Sequence, residues 1–93
     1  MGANVDQQIG KAVAELKAAG AWEVYVFGSA AEGIVGEGSD VDLAVSGLQP
    51  EAFFGTMARA ARALGRPLNL VDLDEDNAFT RHLRGEGGLR RVG

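Results

Sequence analysis

Two aspartates separated by a single residue are the part of this sequence best suited to chemistry. Asp40 and Asp42 lie in the segment 39–45, where Val41, Leu43 and Val45 occupy the alternate positions, and this pattern predicts a β-strand. Side chains two apart on a strand point to the same face, with Cβ atoms roughly 6.5 to 7 Å apart. Proteins usually hold Mg²⁺ with one or two carboxylates plus substrate phosphates, and two such ions can activate an attacking oxygen and stabilise a leaving one. We therefore expect Asp40 and Asp42 to bind Mg²⁺.

A small-residue turn precedes the two aspartates, and its composition suits phosphate binding. Residues 28–33 read Gly-Ser-Ala-Ala-Glu-Gly and follow an apolar strand over 24–27. Glycine lets the backbone approach a ligand closely, and its amides and a serine hydroxyl can donate to an anion. Taken alone, the turn fits a plain hairpin loop, and Asp40 fits a turn or cap residue. The order of strand, turn and paired acids favours a site for polyphosphate and metal instead.

Two longer helices are predicted to position this segment. Apolar residues at helical spacing predict the first over about Asp6 to Ala19, with Asp6 or Asn4 as its cap and Gly20 at its end. Pro50 suits the first turn of the second helix, which Gly65 and Pro67 end. Both helices carry an apolar stripe, so both are expected to pack on the sheet.

The last third of the chain predicts one more strand and one more helix. Residues 68–73 form an apolar run, and the helix is expected from about Glu75 or Asp76 to Arg84, with Phe79 and Leu83 pointing inward. Four glycines after Leu83 predict a flexible tail over 85–93. The alternation of helices and strands favours an α/β (α+β) fold with a sheet of three strands, to which a fourth can be added.

The bulk composition restricts the possible functions. The 93 residues form one domain, 1–93, which is too small for an elaborate two-sided cleft, so a bulky substrate must be recognised mostly elsewhere. Zero cysteines exclude disulfides and thiolate metal sites, and no apolar run approaches the ~20 residues of a membrane span. The first ten residues lack a secretory signal, and a cytoplasmic location is expected. A net charge of −4 argues against direct nucleic-acid binding by phosphate neutralisation.

The ordered motif resembles that of a known superfamily. Its pattern resembles the signature of the DNA polymerase β-like nucleotidyltransferases: Gly28-Ser29-x3-Gly33-x5-Ser39-Asp40-x-Asp42-Leu43-x-Val45. The short chain is similar to the minimal nucleotidyltransferases of bacteria and archaea over residues 5–90. The resemblance implies the nucleotidyltransferase fold, a small mixed sheet of three to four strands flanked by helices. It also implies that Asp40 and Asp42 bind two Mg²⁺ ions, and that the phosphates of ATP or another nucleoside triphosphate are bound by Gly28, Ser29, Gly33 and Ser39.

The sequence departs from the family pattern at two places. Asn69 occupies the position of the third aspartate, the expected base for the attacking hydroxyl, and an amide cannot take that proton. Asp72, three residues further on, is the candidate replacement, although strand alternation puts it on the opposite face unless the strand bulges. Glu32 stands where the family commonly carries arginine, and a negative charge there weakens triphosphate binding unless it points to solvent or binds metal.

Two functions follow from the resemblance. The first is a Mg²⁺-dependent nucleotidyltransferase that transfers a nucleoside monophosphate, AMP from ATP, to an acceptor hydroxyl. The acceptor would belong to a small helical toxin of the HEPN class, with this chain as the antitoxin of the pair. The second is a catalytically impaired module that binds nucleotide or partner without turnover, and Asn69 is the residue that favours it. A homo-oligomer is compatible with either function.

Overall fold

A mixed sheet flanked by helices is present in the computed structural model, which describes residues 5–28, 31, 40–86 and 88–93. The part of the chain so described contains α1 (Val5–Ala18), β1 (Glu23–Phe27), β2 (Val41–Ser46), α2 (Pro50–Leu64), β3 (Leu68–Asp72), α3 (Ala78–Gly85) and β4 (Arg90–Arg91). The predicted fold class, a small mixed sheet of three to four strands flanked by helices, is confirmed.

The strand order in the sheet is β3-β2-β1-β4. Strand β1 runs antiparallel to both β2 and β4, whereas β2 and β3 are parallel. Parallel neighbours need a crossover, which α2 provides between β2 and β3. This topology places β2, the strand that begins after Asp40, in the interior of the sheet.

The main core lies between one face of the sheet and helices α1 and α2. On β2 the core residues are Val41, Leu43 and Val45, which are fully buried. Their alternation is the pattern that predicted the strand. The helices contribute Leu16 and Leu64 to the same cluster. Because odd-numbered β2 residues face this core, its even-numbered residues must face the other side of the sheet.

The other face of the sheet carries a second, smaller core. Ala44, Leu73 and Leu83 are buried together there, and Tyr25, Phe27, Val71 and Leu89 pack against them. Helix α3 supplies Leu83, so the second half of β2 is covered on both faces. The start of β2, where Asp42 is half-buried and Asp40 is exposed, is the more open part of the same face.

Helix α2 begins and ends where the sequence predicted. Pro50 is its first residue, and Gly65 follows its last turn and donates its amide to the Ala61 carbonyl at 3.0 Å. Proline at the start and glycine just beyond the end are the strongest local signals for helix boundaries. These two signals were sufficient to predict both ends of α2.

Helix α3 begins later than predicted, at Ala78 instead of Glu75 or Asp76. Asn77 caps it: its side chain accepts from the Thr80 amide at 2.9 Å, while the Thr80 hydroxyl accepts from the Asn77 amide at 3.1 Å. This reciprocal cap fixes the start of the helix. Leu83 is buried as predicted, whereas Phe79 is half exposed, although its ring packs edge-on against Phe27.

The described residues of 85–93, the segment expected to be a flexible tail, include secondary structure. Helix α3 extends to Gly85, and β4 pairs with Tyr25 and Val26 of β1. Beyond β4, the Val92 amide donates to the Val24 carbonyl at 2.8 Å. The glycines before β4 favoured the prediction of a tail, and the strand itself was missed because backbone pairing requires no particular side chains. Within the residues that the structure describes, no helix has the length and apolar character needed to span a membrane.

Candidate active site

Asp42 lies at the centre of the candidate site because of its position in the sheet. It pairs with Phe27, the last residue of β1, and with Asn69 on β3. Asp40 precedes β2 by one residue and is exposed. The end of β1, the start of β2 and the start of β3 therefore meet at one place.

Asn69 hydrogen-bonds to both carboxylates. Its side-chain nitrogen donates to Asp42 Oδ1 at 2.8 Å and more weakly to Asp40 Oδ2 at 3.5 Å. One amide can reach both acids only if they share a face, as their spacing predicted. The register also places Asn69 directly opposite Asp42, the position at which the resemblance led us to expect a third aspartate. In this orientation the amide draws the two negative groups together but cannot accept a proton.

Gly28 brings the backbone against the Asp42 carboxylate. Its φ of +66° lies in the left-handed region, and a Cβ added to it would be 2.5 Å from Asp42 Oδ2. The backbone angle therefore favours glycine, and any side chain here would force the Asp42 carboxylate to move. The sequence predicted close approach of a ligand to this glycine, and the structure shows close approach of a carboxylate that would itself hold the ligand's metal.

Of the other predicted site residues, only Asp72 lies within the part of the chain that the structure describes. Ser29, Gly33 and Ser39, predicted to bind phosphate, lie outside the described residues, as does Glu32. Asp72 pairs with Val45 in the parallel register with β2, which runs from Val41 to Val45 without a bulge. It is thus three positions along β3 from Asn69, about 10 Å away and on the opposite face. The structure does not place Asp72 beside Asp40 and Asp42.

The donor set of the site fits a hard divalent cation. No group of three or more histidine, cysteine, aspartate or glutamate side chains suited to a metal is found among residues 5–28, 31, 40–86 and 88–93. Two carboxylates remain, and Mg²⁺ is commonly bound by one or two carboxylates, with waters and substrate phosphates as its other ligands. Asp40 and Asp42 would hold it. Rotation of the Asn69 amide would turn its oxygen toward the same place.

Asp74 is a structurally important residue that the sequence did not reveal. Its carboxylate accepts from the Ser46 hydroxyl and from the Gly47 amide, each at 2.7 Å, and so ties the end of β2 to the turn after β3. The Gly47 amide, then the Ser46 hydroxyl and finally the positive charge of Arg84 hold the pKa of Asp74 below its ordinary value, against an opposing effect of burial. No local sequence pattern joins residues this far apart.

Comparison with known protein families establishes the family of this chain. The model of the family described as polymerase beta, nucleotidyltransferase matches residues 12–89. The chain belongs to this nucleotidyltransferase family. Asp40, Asp42, Asn69 and Gly28 all lie within the matched region. Among curated proteins, none matches the sequence significantly.

Solved structures share the nucleotidyltransferase fold of this chain. One is a crystal structure of a toxin–antitoxin with AMP-PNP, with 24% identity, a TM-score of 0.72, and coverage of 88% of this chain and 69% of that chain. Another is a tri-AMPylated Shewanella oneidensis HEPN toxin in complex with MNT antitoxin, with 20% identity, a TM-score of 0.68, and coverage of 95% and 71%. A third is the toxin–antitoxin MntA-HepT, with 21% identity, a TM-score of 0.64, and coverage of 90% and 68%. At these identities the similarity establishes the fold.

Proposed function

We propose that this protein is a Mg²⁺-dependent nucleotidyltransferase that transfers AMP from ATP to a hydroxyl group of a partner protein. The observation that carries the proposal is the convergence of Asp40 and Asp42 on one face of β2, with Gly28 against Asp42, in a chain of the nucleotidyltransferase family. The AMP-PNP present in one structure of the same fold supports ATP as the substrate.

The residues of the site suit the charge changes of this reaction. The acceptor oxygen forms a bond to the α-phosphorus, the bond from that phosphorus to the β-phosphate oxygen breaks, pyrophosphate leaves, and the hydroxyl proton is released. Bound Mg²⁺, two ions by the family resemblance, supplies neutralisation of the phosphate charge. Asp40 and Asp42 would fix its position, and Asn69 holds these two carboxylates in place beforehand. Catalysis would thus rest on positioning and electrostatics.

The acceptor is proposed to be a HEPN-class toxin that this chain neutralises. One protein of the same fold is an MNT antitoxin in complex with a tri-AMPylated HEPN toxin. The resulting hypothesis is that this chain neutralises the toxin by transferring AMP to it.

A second function is favoured by Asn69. Its amide occupies the register position opposite Asp42 and cannot act as a base, which is the expected property of a module that binds without turnover. In that case the domain would neutralise its partner by binding alone.

Label transfer distinguishes the two functions. The purified protein is incubated with Mg²⁺, a purified HEPN-class protein as candidate acceptor, and ATP labelled in either the α- or the γ-phosphate. The enzyme proposal expects label on the partner from the α-phosphate alone. Asp40→Asn and Asp42→Asn should each reduce transfer by about 100-fold or more. Glu51→Gln, which neutralises an exposed carboxylate on α2, is the matched control and should leave the rate unchanged.

The outcome for Asn69→Asp decides between activity and impairment. If neither the natural protein nor this variant transfers label, the enzyme proposal is wrong. If only the variant transfers label, the natural site is degenerate and the binding module is the correct function. Asp72→Asn tests whether that residue serves as the third acid; its distance from Asp42 in the sheet predicts little effect.

A further inference from the structure

The large apolar side chains that the described structure exposes are gathered on one surface. Trp22 is 72% exposed, Phe54 74% and Phe79 50%. Phe54 and Phe79 line one groove of about 400 Å³, and Trp22 lines a second groove of similar volume. The two grooves adjoin, because Pro50, Asp72 and Glu75 line both. We refer to them together as the β3 groove. A contiguous exposed apolar surface of this kind marks an interaction site more often than scattered apolar residues do.

The β3 groove runs over a free strand edge. Strand β3 is the last strand of the sheet and pairs only with β2 among the described residues. Leu70 and Asp72 point to one face of β3 and Val71 to the other, yet all three line the groove. The groove must therefore cross the outer edge of the strand, where backbone amides and carbonyls are open to a further strand.

The charge of the groove restricts what can bind there. Asp72, Asp74 and Glu75 contribute carboxylates to the lining, and no lysine or arginine lines it within the described chain. A nucleic acid or a free nucleotide would be repelled by these charges. The complementary ligand is an apolar polypeptide segment that carries at least one lysine or arginine.

One end of the groove lies beside the candidate active site. The ring of Phe79 packs edge-on against Phe27, with centroids 6.0 Å apart, and Phe27 is the direct strand neighbour of Asp42. Along β3 itself, Val71 is two residues from Asn69 and on the same face. A strand added to this edge would run directly beside β3, which carries Asn69, and would lie about 10 Å, or two strand spacings, from Asp42 on β2.

We propose that the β3 groove binds an extended segment of the acceptor protein as an added strand. Backbone hydrogen bonds to the edge of β3 would provide affinity. Apolar side chains between Phe54 and Phe79, and a lysine or arginine beside Asp72 and Glu75, would provide specificity. That this segment carries the modified hydroxyl rests on the proposed function; the docking itself does not, since it depends on the surface alone.

Calorimetric measurement of the binding between this protein and the purified HEPN-class candidate acceptor tests the proposal. Phe54→Ser and Glu75→Lys should each weaken binding by roughly tenfold or more, because each removes a central anchor of the groove. Glu86→Lys makes the same charge change on an exposed residue outside the groove and should leave the affinity unchanged. Hydrogen exchange of the natural complex should show new protection at the amides of residues 69–72. Circular dichroism and melting of both variants establish that they are folded, as expected for exposed side chains.

Binding and label transfer are measured on the same samples, so the two proposals can fail separately. Asp42→Asn should keep its affinity for the partner and lose label transfer. If the natural protein transfers no label while Phe54→Ser and Glu75→Lys weaken binding as expected, the enzyme proposal is contradicted and the docking surface is established. Unchanged affinity of both groove variants overturns the docking proposal even if transfer is normal, and so does a natural protein that does not bind. Sedimentation without partner adds one more outcome: a dimer that Phe54→Ser dissociates would make a second copy the occupant and contradict the proposal.

Discussion

Asn69 acts on the site through the two carboxylates it connects. Its amide donates to both Asp42 and Asp40, so it lowers the repulsion between them in the absence of metal. Asn69→Asp would replace that donor by a third negative charge in the same register position. We expect the metal-free variant to lose about 1 kcal/mol of unfolding free energy at pH 7, because a short and a weak hydrogen bond are lost and a repulsion is gained at a solvent-exposed site.

The measurement is urea unfolding with a chelator and again with Mg²⁺. Mg²⁺ should restore most of the lost stability of Asn69→Asp, since a ligand that binds only the folded state stabilises it. Asn69→Ala is the control, because it removes the donor without adding charge and should regain less on Mg²⁺ addition. Equal stability of Asn69→Asp and the natural protein in chelator would contradict the role given to the amide.

Gly28 is the second residue whose chemistry can be tested alone. Gly28→Ala places a methyl group 2.5 Å from Asp42 Oδ2 on a backbone with φ of +66°, so the carboxylate or the turn must move. We expect a loss of about 1 to 3 kcal/mol in thermal or urea unfolding and a large fall in transfer. Gly10→Ala in α1 is the matched control: nothing lies within 4 Å of its added Cβ, and it should stabilise the helix by roughly 0.5 to 1 kcal/mol. If Gly28→Ala left both stability and transfer unchanged, the backbone at residue 28 would accommodate the methyl group without strain, and the role assigned to Gly28 would be wrong.

The contacts of these residues could be predicted from sequence only where the spacing was short. The separation of two residues was enough to place Asp40 and Asp42 on one face, because strand geometry leaves no alternative. The contact of Asn69 depends on the register between β2 and β3, which are joined through a helix and therefore have no turn to fix their alignment. The family resemblance supplied that alignment, whereas residue spacing alone did not.

The bounds of the helices were predicted correctly where residues that typically start or end a helix mark both ends. Helix α2 was placed correctly because Pro50 and Gly65 mark its two ends. Helix α3 was started too early because Glu75 and Asp76 suit a first turn, and the true cap, Asn77 with Thr80, uses a threonine where a glutamate or glutamine is usual. Strand β4 has only two residues and is held by β1, so its stability comes from a partner distant in sequence.

Asp74 joins two elements and makes their connection sensitive to pH. Its pKa is lowered in the folded state by the Gly47 amide and the Ser46 hydroxyl, so its stabilising effect is complete above the unfolded pKa of about 3.9. The effect is lost as the pH falls through the lower, folded pKa. Asp74→Asn should therefore be less stable than the natural protein at pH 6, by about 1 kcal/mol, since solvent weakens the interaction.

The check on Asp74 is urea unfolding of both proteins from pH 6 down to pH 2. The difference between them should shrink as the pH falls below about 4 and vanish once the carboxyl is protonated in both states. Asp76→Asn is a suitable control because, among the residues that the structure describes, that carboxylate forms an exposed ion pair with Arg81, 2.8 Å away, and exposed ion pairs contribute little. A difference that stays constant with pH would mean that the negative charge of Asp74 is not what connects the two elements.

For the whole molecule, charge determines how a nucleotide can bind. The net charge is −4, and residues 1–46, which include Gly28, Asp40 and Asp42 of the candidate site, carry two lysines and seven acids, a balance of 2 − 7 = −5. ATP brings further negative charge to two carboxylates that already face each other across Asn69. Nucleotide without a cation should bind weakly, because nothing in the described site offsets this repulsion.

The consequence is a cooperative effect of cation and nucleotide on thermal stability. ATP with a chelator should raise the melting temperature very little, whereas ATP with Mg²⁺ should raise it by more than the sum of the two separate effects. At ten times the dissociation constant the gain is about 1.4 kcal/mol, or about 5 to 10 °C for a domain of this size. Asp42→Asn should abolish the joint effect and Glu51→Gln should preserve it, as followed by scanning calorimetry. If ATP alone stabilised the protein as much as ATP with Mg²⁺, the nucleotide would be held by groups other than the two carboxylates, and the metal would not be what joins substrate to site.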